Sequence, residues 1–246
     1  MTIKNDVEKL REKIRKSNRI VVFTGAGISS ESGIPTYRGS EGVWSKYDPN
    51  IYANINVFLQ DSSYYWQYFK NERYPVIKNA KPNINHYSIV ELEKQGKLNC
   101  VITQNIDGLH QMAGSSKVIE LHGNTRIISC LKCKRKYSID EIYSLLQKEI
   151  PPLCSCGGKL KTNTVLFGEQ LPSTALIEAE IASKNCDLFL SLGSSLLVYP
   201  AANFPIIAKK NNSYLVIVNL DATPLDDIAD LVINDKVSNI LSKIFK

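Results

Sequence analysis

Ile20-Val21-Val22-Phe23-Thr24-Gly25-Ala26-Gly27-Ile28-Ser29-Ser30-Glu31-Ser32-Gly33 is the stretch from which the rest of the chain can be read. Its first five residues are a short apolar run rich in β-branched side chains, the pattern of a fully buried strand. The glycine-spaced residues that follow at once predict a tight loop. Glycines there let backbone amides approach a diphosphate, and a helix N-terminus beyond the loop favours negative charge. The dinucleotide fingerprint asks for a third glycine at position 30, where this chain has Ser30. A tight strand-to-helix turn with no ligand fits the same residues.

Outward from this stretch, further short apolar runs, most of them β-branched, read as buried strands: 99–103, 118–121, 187–192, 214–219 and, more weakly, 231–233. Between them lie segments with helical spacing. Val7, Leu10 and Ile14 mark one face of an opening helix. Ile84, Ile89 and Leu92 mark another, and 173–183 and 203–210 are two more. Strands alternating with helices predict an α/β fold, a parallel sheet with helices on both faces. Two stretches break the alternation. Residues 37–82 are rich in Tyr, Trp, Asn and Pro with short helical pieces, and 124–164 carry clustered cysteines. Both read as insertions that together form a smaller domain.

The 246 residues are enough for one large domain or two small ones, and 43% hydrophobic with 22% charged residues is a globular balance, not a disordered one. No apolar run reaches the about 18 residues needed to cross a membrane. The polar opening stretch lacks the pattern of a signal peptide, so the expected location is the cytoplasm. A net charge of +6, from 30 basic and 24 acidic residues, is too mild to make nucleic-acid binding the main role. The longest basic cluster, 132–136, falls between cysteines.

Four of the six cysteines group as Cys130-Leu131-Lys132-Cys133 and Cys154-Ser155-Cys156-Gly157-Gly158. Two close thiolate pairs suit tetrahedral zinc, and four protein sulfurs leave no open position, so the metal would be structural. The second pair has a one-residue spacer, and Gly157 and Gly158 ease its turn. Cys100 and Cys186 stand in apolar surroundings and read as small core residues.

Thr103-Gln104-Asn105-Ile106-Asp107-Gly108-Leu109-His110 sits at the carboxyl end of the second strand, where open parallel sheets bind ligands. Gln, Asn and Asp there suit ribose hydroxyls and an amide, and turn chemistry accounts for Asn and Asp equally well. Glu120-Leu121-His122-Gly123 ends the third strand, and imidazole is the usual general base near neutral pH. A structural role suits a histidine at a strand end too. His86 and His110 lie in helix-like segments and read as packing or capping residues.

Taken together these residues resemble the sirtuin family of NAD-dependent protein deacylases. The resemblance rests on Gly25-Ala26-Gly27-Ile28-Ser29, Ser32-Gly33-Ile34-Pro35, Arg38-Gly39, 103–107, His122-Gly123, the four cysteines, Phe167-Gly168-Glu169, Gly193-Ser194-Ser195-Leu196 and Val218-Asn219. It spans about residues 18–237. It implies a Rossmann-like NAD domain (1–36, 83–123 and 165–246) and a small domain of a helical module (37–82) and a zinc ribbon (124–164). An acyl-lysine peptide enters between them.

The resemblance also implies roles. Gly25, Ala26, Gly27, Ser29 and Ser30 line the diphosphate and nearby ribose, and Arg38 contacts phosphate. Gln104 and Asn105 hold the nicotinamide ribose; Ile106 and Asp107 hold the carboxamide. Gly193, Ser194, Ser195, Asn219 and Val237 line the adenosine half. Val165, Phe167, Gly168 and Glu169 pair with the substrate backbone as an added strand. His122 and Asn105 are the catalytic residues, with His122 as general base on a ribose hydroxyl. Cys130, Cys133, Cys154 and Cys156 hold one structural Zn2+ per chain. The implied activity is lysine deacetylation that consumes NAD as co-substrate and releases nicotinamide and O-acetyl-ADP-ribose. The partners are acetylated-lysine proteins, with no membrane or nucleic acid, and the chain is a monomer.

Three features depart from the family. Tyr37 stands where Phe is usual beside the nicotinamide. The second cysteine pair is shortened. Phe69 and Glu72 align with the Tyr and Arg by which the desuccinylase branch meets an acidic acyl group. Glu72 would repel a second carboxylate, which favours acetyl or a longer apolar acyl chain. The nearest rival activity is ADP-ribose transfer to a protein from the same NAD site. A nicotinamide dehydrogenase and a zinc-ribbon nucleic-acid binder are more distant rivals.

Overall fold

The computed structural model describes residues 3–37 and 42–245. Strand β1 (Ile20–Thr24) lies at the centre of a six-stranded sheet. It contains β2 (Leu98–Thr103), β3 (Val118–Glu120), β7 (Leu188–Leu192), β8 (Tyr214–Asn219) and β9 (Leu231–Asn234), in the order β3-β2-β1-β7-β8-β9. Every pairing is parallel. Numbered within this sheet alone, the order is the 3-2-1-4-5-6 of a Rossmann sheet. The chain builds outward on one side of β1, then returns to build on the other. A crevice therefore opens at the carboxyl end of β1, between β2 and β7.

The strands are apolar on both faces because both are covered. Ile20 and Val22 join Leu188, Leu190, Val216 and Val218 under Val7, Leu10 and Ile14 of helix Ile3–Lys16, Ile89 and Leu92 of helix Ile84–Lys94, and Ile240 and Leu241 of helix Val237–Ile244. Val21 and Phe23 point the other way. They join Cys100, Ile102, Phe189, Leu215 and Ile217 under Ala179 and Ala182 of helix Ser173–Lys184, and Phe204 and Ala208 of helix Asn203–Lys210. Cys100 and Cys186 both lie buried in this second layer, as small core residues.

One expected element is missing. No α-helix follows the glycine loop, which closes in two single 3-10 turns, Ala26–Ile28 and Ser30–Ser32. Gly33 then takes a left-handed conformation and Pro35 follows, so the backbone cannot propagate a helix there.

A second, antiparallel sheet of β4 (Gly123–Cys130), β5 (Lys136–Ser138) and β6 (Leu160–Thr164) has the order β5-β4-β6. These strands escape a periodicity reading because they are short or polar. Ile128, Cys130 and Leu160 from this sheet, with Ile139 and Ile142 from helix Ile139–Leu146, pack on Phe58, Tyr65, Trp66, Phe69 and Ile77 from the segments between β1 and β2. Trp66 is fully buried, and its indole N–H donates to the Leu160 carbonyl at 3.2 Å. No helix among the described residues is long and apolar enough to cross a membrane.

Gly123 sits where β3 hands over to β4, with φ +72°, and a Cβ there would lie 1.8 Å from the Asn163 carbonyl oxygen. Gly123→Ala is therefore expected to destabilise the chain by at least about 1–3 kcal/mol, read as a lowered urea midpoint. An unchanged midpoint would mean that β4 and β6 can separate at this point without cost.

Candidate active site

The loops after β1 and β7 meet backbone to backbone. Gly25 N–H donates to Leu192 C=O at 3.2 Å and Gly27 N–H to Gly193 C=O at 2.9 Å. A Cβ on Gly25 would lie 2.7 Å from the Gly193 oxygen, and one on Gly27 would lie 2.9 Å from Gly193 Cα. These glycines are thus required by loop-to-loop contact, independently of any ligand. Ser30 turns its hydroxyl back to the Gly27 carbonyl at 2.9 Å. Arg38 and Gly39 lie outside the described residues.

The polar residues after β2 knit onto this loop. Gln104 N–H extends the ladder to Thr24 C=O, and its side-chain amide donates to Ser194 Oγ at 2.8 Å. Asn105 Nδ2 donates to Gly25 C=O and to Ser29 Oγ, both at 3.1 Å. Ser29 Oγ in turn donates to Asp107 Oδ2 at 2.8 Å, while Leu109 N–H donates to Oδ1 at 2.9 Å. Burial pushes the Asp107 carboxyl up, and these two hydrogen bonds and Arg126 pull against that. Arg126, not singled out from the sequence, holds the same turn from outside. Its Nε donates to Asp107 C=O at 2.7 Å and its Nη2 to Ile77 C=O at 3.0 Å.

His122 Nδ1 lies 2.9 Å from the Gln104 carbonyl. A carbonyl only accepts, so Nδ1 carries the proton and Nε2 keeps its lone pair. Burial holds the imidazole below its ordinary pKa, opposed by the Gln104 bond. A neutral ring with an available Nε2 on a cavity wall is the state a general base needs.

Two cavities adjoin at the crevice and share Tyr37, Arg73 and Ile106 as walls. The first is lined by Ala26, Ser29, Asn105 and Asp107 on one side and by Tyr68, Glu72 and Ile77 on the other. The second holds His122 and Gln104 against the segment 164–170, with Val198 and Tyr199 opposite. Gly193 and Ser194 sit in the β7 loop against Gly25. Ser195, Asn219 and Val237 line neither cavity. Asn219 ends β8 with its amide on Asp221 C=O, and Val237 is buried at the start of the last helix.

The two residues aligned with the acyl pocket are placed differently from one another. Phe69 is fully buried in the third core and lines neither cavity. Glu72 lines the first cavity and hydrogen-bonds Tyr47, and the cation Arg73 stands beside it over the rings of Tyr37 and Tyr68. A residue of each sign faces the space, so Glu72 alone does not set its charge. Sequence reading missed Arg73 because the chain winds here as a π-turn, Phe69–Arg73, which rotates residues away from their helical register.

The four clustered cysteines converge, with all sulfurs within 4.8 Å of one another and the pairs Cys130–Cys156 and Cys133–Cys154 at 3.6 Å. Thiolates around a tetrahedral zinc lie about 3.8 Å apart, so this donor set fits the ion. The short second pair closes because Gly157 takes φ +75° and Cys154 N–H bonds to Gly158 C=O at 2.9 Å.

Beneath the first cavity lie two imidazoles, His86 and His110, with ring centroids 4.9 Å apart. His86 Nδ1 accepts from Asn83 N–H at 3.2 Å, the capping role expected of it, and Nε2 faces Ser29 Oγ at 3.5 Å. His110 Nε2 meets Thr24 Oγ1 at 3.0 Å. Burial depresses His86 from 6.5 to about 4 and His110 to about 3. The unfolded chain therefore takes up protons that the folded chain refuses. Their contribution to stability is complete above pH about 6.5 and is lost as pH falls toward those folded values, each at up to about 1.4 kcal/mol per pH unit. Asp107 and Glu120, raised by burial, act in the opposite sense as pH falls through their raised folded-state values. Urea unfolding between pH 7 and 5.5 should show a falling free energy. A flat profile would mean that the rings are charged in the folded chain or that the raised carboxyls offset them.

The model of the Sir2 family matches residues 25–200. The NAD-dependent protein deacetylase of Sulfolobus acidocaldarius is 44% identical over 245 residues, covering 99% of this chain and 96% of that protein. The NAD-dependent protein deacylase 2 of Archaeoglobus fulgidus is 46% identical over 244 residues, covering 98% and 96%. A Sir2 structure with a p53 peptide and NAD+ superposes with a TM-score of 0.90 at 41% identity, over 99% of this chain and 97% of that one. A Sir2 variant with deacetylated p53 peptide and 3'-O-acetyl ADP ribose superposes with a TM-score of 0.93 at 41% identity, over 97% and 96%. With a Rossmann sheet, a polar crevice at its switch point and a four-sulfur cluster, the chain belongs to the Sir2 family.

Proposed function

We propose that this chain is an NAD-dependent protein-lysine deacetylase. It removes acetyl or longer apolar acyl groups, consumes NAD and releases nicotinamide and O-acetyl-ADP-ribose. The observation that carries the reading is His122, an imidazole on the wall of the cavity between the polar cluster and segment 164–170, with Nδ1 engaged by the Gln104 carbonyl and Nε2 left as the basic nitrogen.

In this reading Gly25, Ala26, Gly27, Ser29 and Ser30 receive the diphosphate and its ribose, with Arg38 on phosphate. Gln104 and Asn105 hold the nicotinamide ribose. Ile106 and Asp107 hold the carboxamide in the first cavity, with Tyr37 as a wall that excludes water. Gly193, Ser194, Ser195, Asn219 and Val237 take the adenosine half. Orientation of the acyl oxygen against the ribose carbon contributes about 7–11 kcal/mol. His122 then takes the proton of a ribose hydroxyl, which attacks the acyl carbon. Val165, Phe167, Gly168 and Glu169 receive the substrate backbone. Phe167 N–H already donates to Ala53 C=O and its C=O accepts from Ile55 N–H, so Phe167 lines the path of an added strand while Gly168 offers the backbone groups for pairing.

Zinc, held by Cys130, Cys133, Cys154 and Cys156, supplies a structural cross-link and no catalysis, because four sulfurs fill its shell. We also propose the division into 1–36, 83–123 and 165–246 for NAD and 37–82 with 124–164 for the small domain. The third core, shared by both insertions, supports it. The chain is proposed to act as a monomer. A thiolate cluster suits a reducing cytoplasm.

His122→Ala should lower deacetylation by about 10²–10⁴-fold with an unchanged melting temperature, since no apolar cavity opens. Near-normal turnover would remove His122 as the base. Mass spectrometry of the products separates the readings. Acetylated ADP-ribose and free lysine support deacetylation, whereas a protein acceptor carrying ADP-ribose supports the transferase alternative. Metal analysis should find about one zinc per chain. Cys154→Ala should lose the metal and lower the melting temperature. Less than about half an equivalent in a fully active preparation would show that the short pair does not complete the site.

A further inference from the structure

Lys161 is a lysine on β6 that is only 7% exposed. Lysine is among the residues least often buried without a partner, and an apolar side chain at this position would avoid the desolvation cost. What the ammonium does there is visible in its acceptors. Nζ lies 2.8 Å from Glu169 Oε2, 2.6 Å from the Thr164 carbonyl and 3.4 Å from the Thr162 carbonyl. Glu169 Oε2 also accepts the Leu166 N–H at 2.8 Å. Glu169 N–H closes a turn onto Leu166 C=O at 3.0 Å, with Gly168 at φ +90°. At its start the same segment is tied by Val165 N–H to the carbonyl of His122 at 2.8 Å.

One ammonium therefore fixes both the exit of β6 and the carboxylate on which the turn 166–169 is built. That turn is a wall of the cavity that also contains His122. β6 is the strand whose Leu160 pairs with Cys130, one residue from Lys161. The cysteine cluster is thereby connected, through a charged contact, to the cavity wall.

We propose that Lys161 is a positioning residue for substrate: its ion pair with Glu169 holds segment 165–169 in the shape that receives the acyl-lysine peptide. The inference rests on the deacetylase reading above. Without the ammonium, the half-buried Glu169 carboxylate turns to water and the Leu166 amide loses its acceptor. The segment loosens, and peptide binding suffers while the NAD side of the crevice, which Lys161 does not touch, keeps its geometry.

The test compares wild type, Lys161→Arg and Lys161→Met, with an acetyl-lysine peptide and NAD as the varied substrates. Lys161→Met should raise KM for the peptide by about tenfold and leave KM for NAD and kcat within about twofold. Hydrogen exchange of the Leu166 amide should quicken by about tenfold or more, with the β1 and β7 amides unchanged. Lys161→Arg, which keeps the charge, should recover most of the peptide affinity. Unchanged Leu166 exchange, or a parallel rise of both KM values, would overturn the role. If Lys161→Met does not fold, Lys161→Gln keeps a hydrogen-bond donor and removes the charge, and it must show the same KM split for the proposal to survive. A wild-type chain that leaves the acetylated peptide untouched overturns the functional reading, whereas normal turnover with no KM split overturns only the role of Lys161.

Discussion

The contact between the loops that leave β1 and β7 organises this molecule. Gly25 and Gly27 come so close to Gly193 that no side chain fits between them. That approach closes the floor of the crevice at the switch point of the sheet. It also leaves the Gly25 carbonyl and the Ser29 hydroxyl as anchors for Asn105, and through Ser29 for Asp107. Gln104 reaches across the same floor to Ser194. Three strands are thus joined at their carboxyl ends by hydrogen bonds that need the glycine contact to be in register.

Burial in the crevice alters the chemistry of the groups it holds. Asp107 is raised and His122 lowered, both by desolvation. The two directions are complementary. A carboxyl held by Ser29 and Leu109 is fixed in orientation, and an imidazole kept neutral has a lone pair free to accept a proton. His86 and His110 beneath them are neutral for the same reason, and they face Ser29 and Thr24, at the loop and strand end on which the polar cluster rests.

The large sheet was legible because its strands are buried on both faces. The run 187–192 stands out by its leucines and Phe189, 214–219 by its β-branched residues, and the helical stripe of Val7, Leu10 and Ile14 is regular. The four cysteines were legible from their spacing. The helix expected after the glycine loop failed because Gly33 and Pro35 stop it after two turns. β6 was invisible because it reads Leu-Lys-Thr-Asn-Thr, and its burial comes from the second sheet and from Glu169, not from its own hydrophobicity. Arg73 was invisible because a π-turn shifts it by a fraction of a turn into the cavity, a rotation that helical spacing cannot announce.

The two insertions are far apart in sequence, yet neither has a core alone. Phe58, Tyr65, Trp66 and Phe69 come from the first, and Ile128, Cys130, Ile142 and Leu160 from the second. Their joint core is small, and small cores need cross-links. The cysteine cluster supplies one at the β4–β6 end, where Cys130 pairs with Leu160. The same core contains Leu166, next to the segment that walls the His122 cavity. The cysteine cluster can therefore shape the wall of the His122 cavity from outside it. It fixes β6, β6 presents Lys161 to Glu169, and Glu169 holds the turn that faces the imidazole.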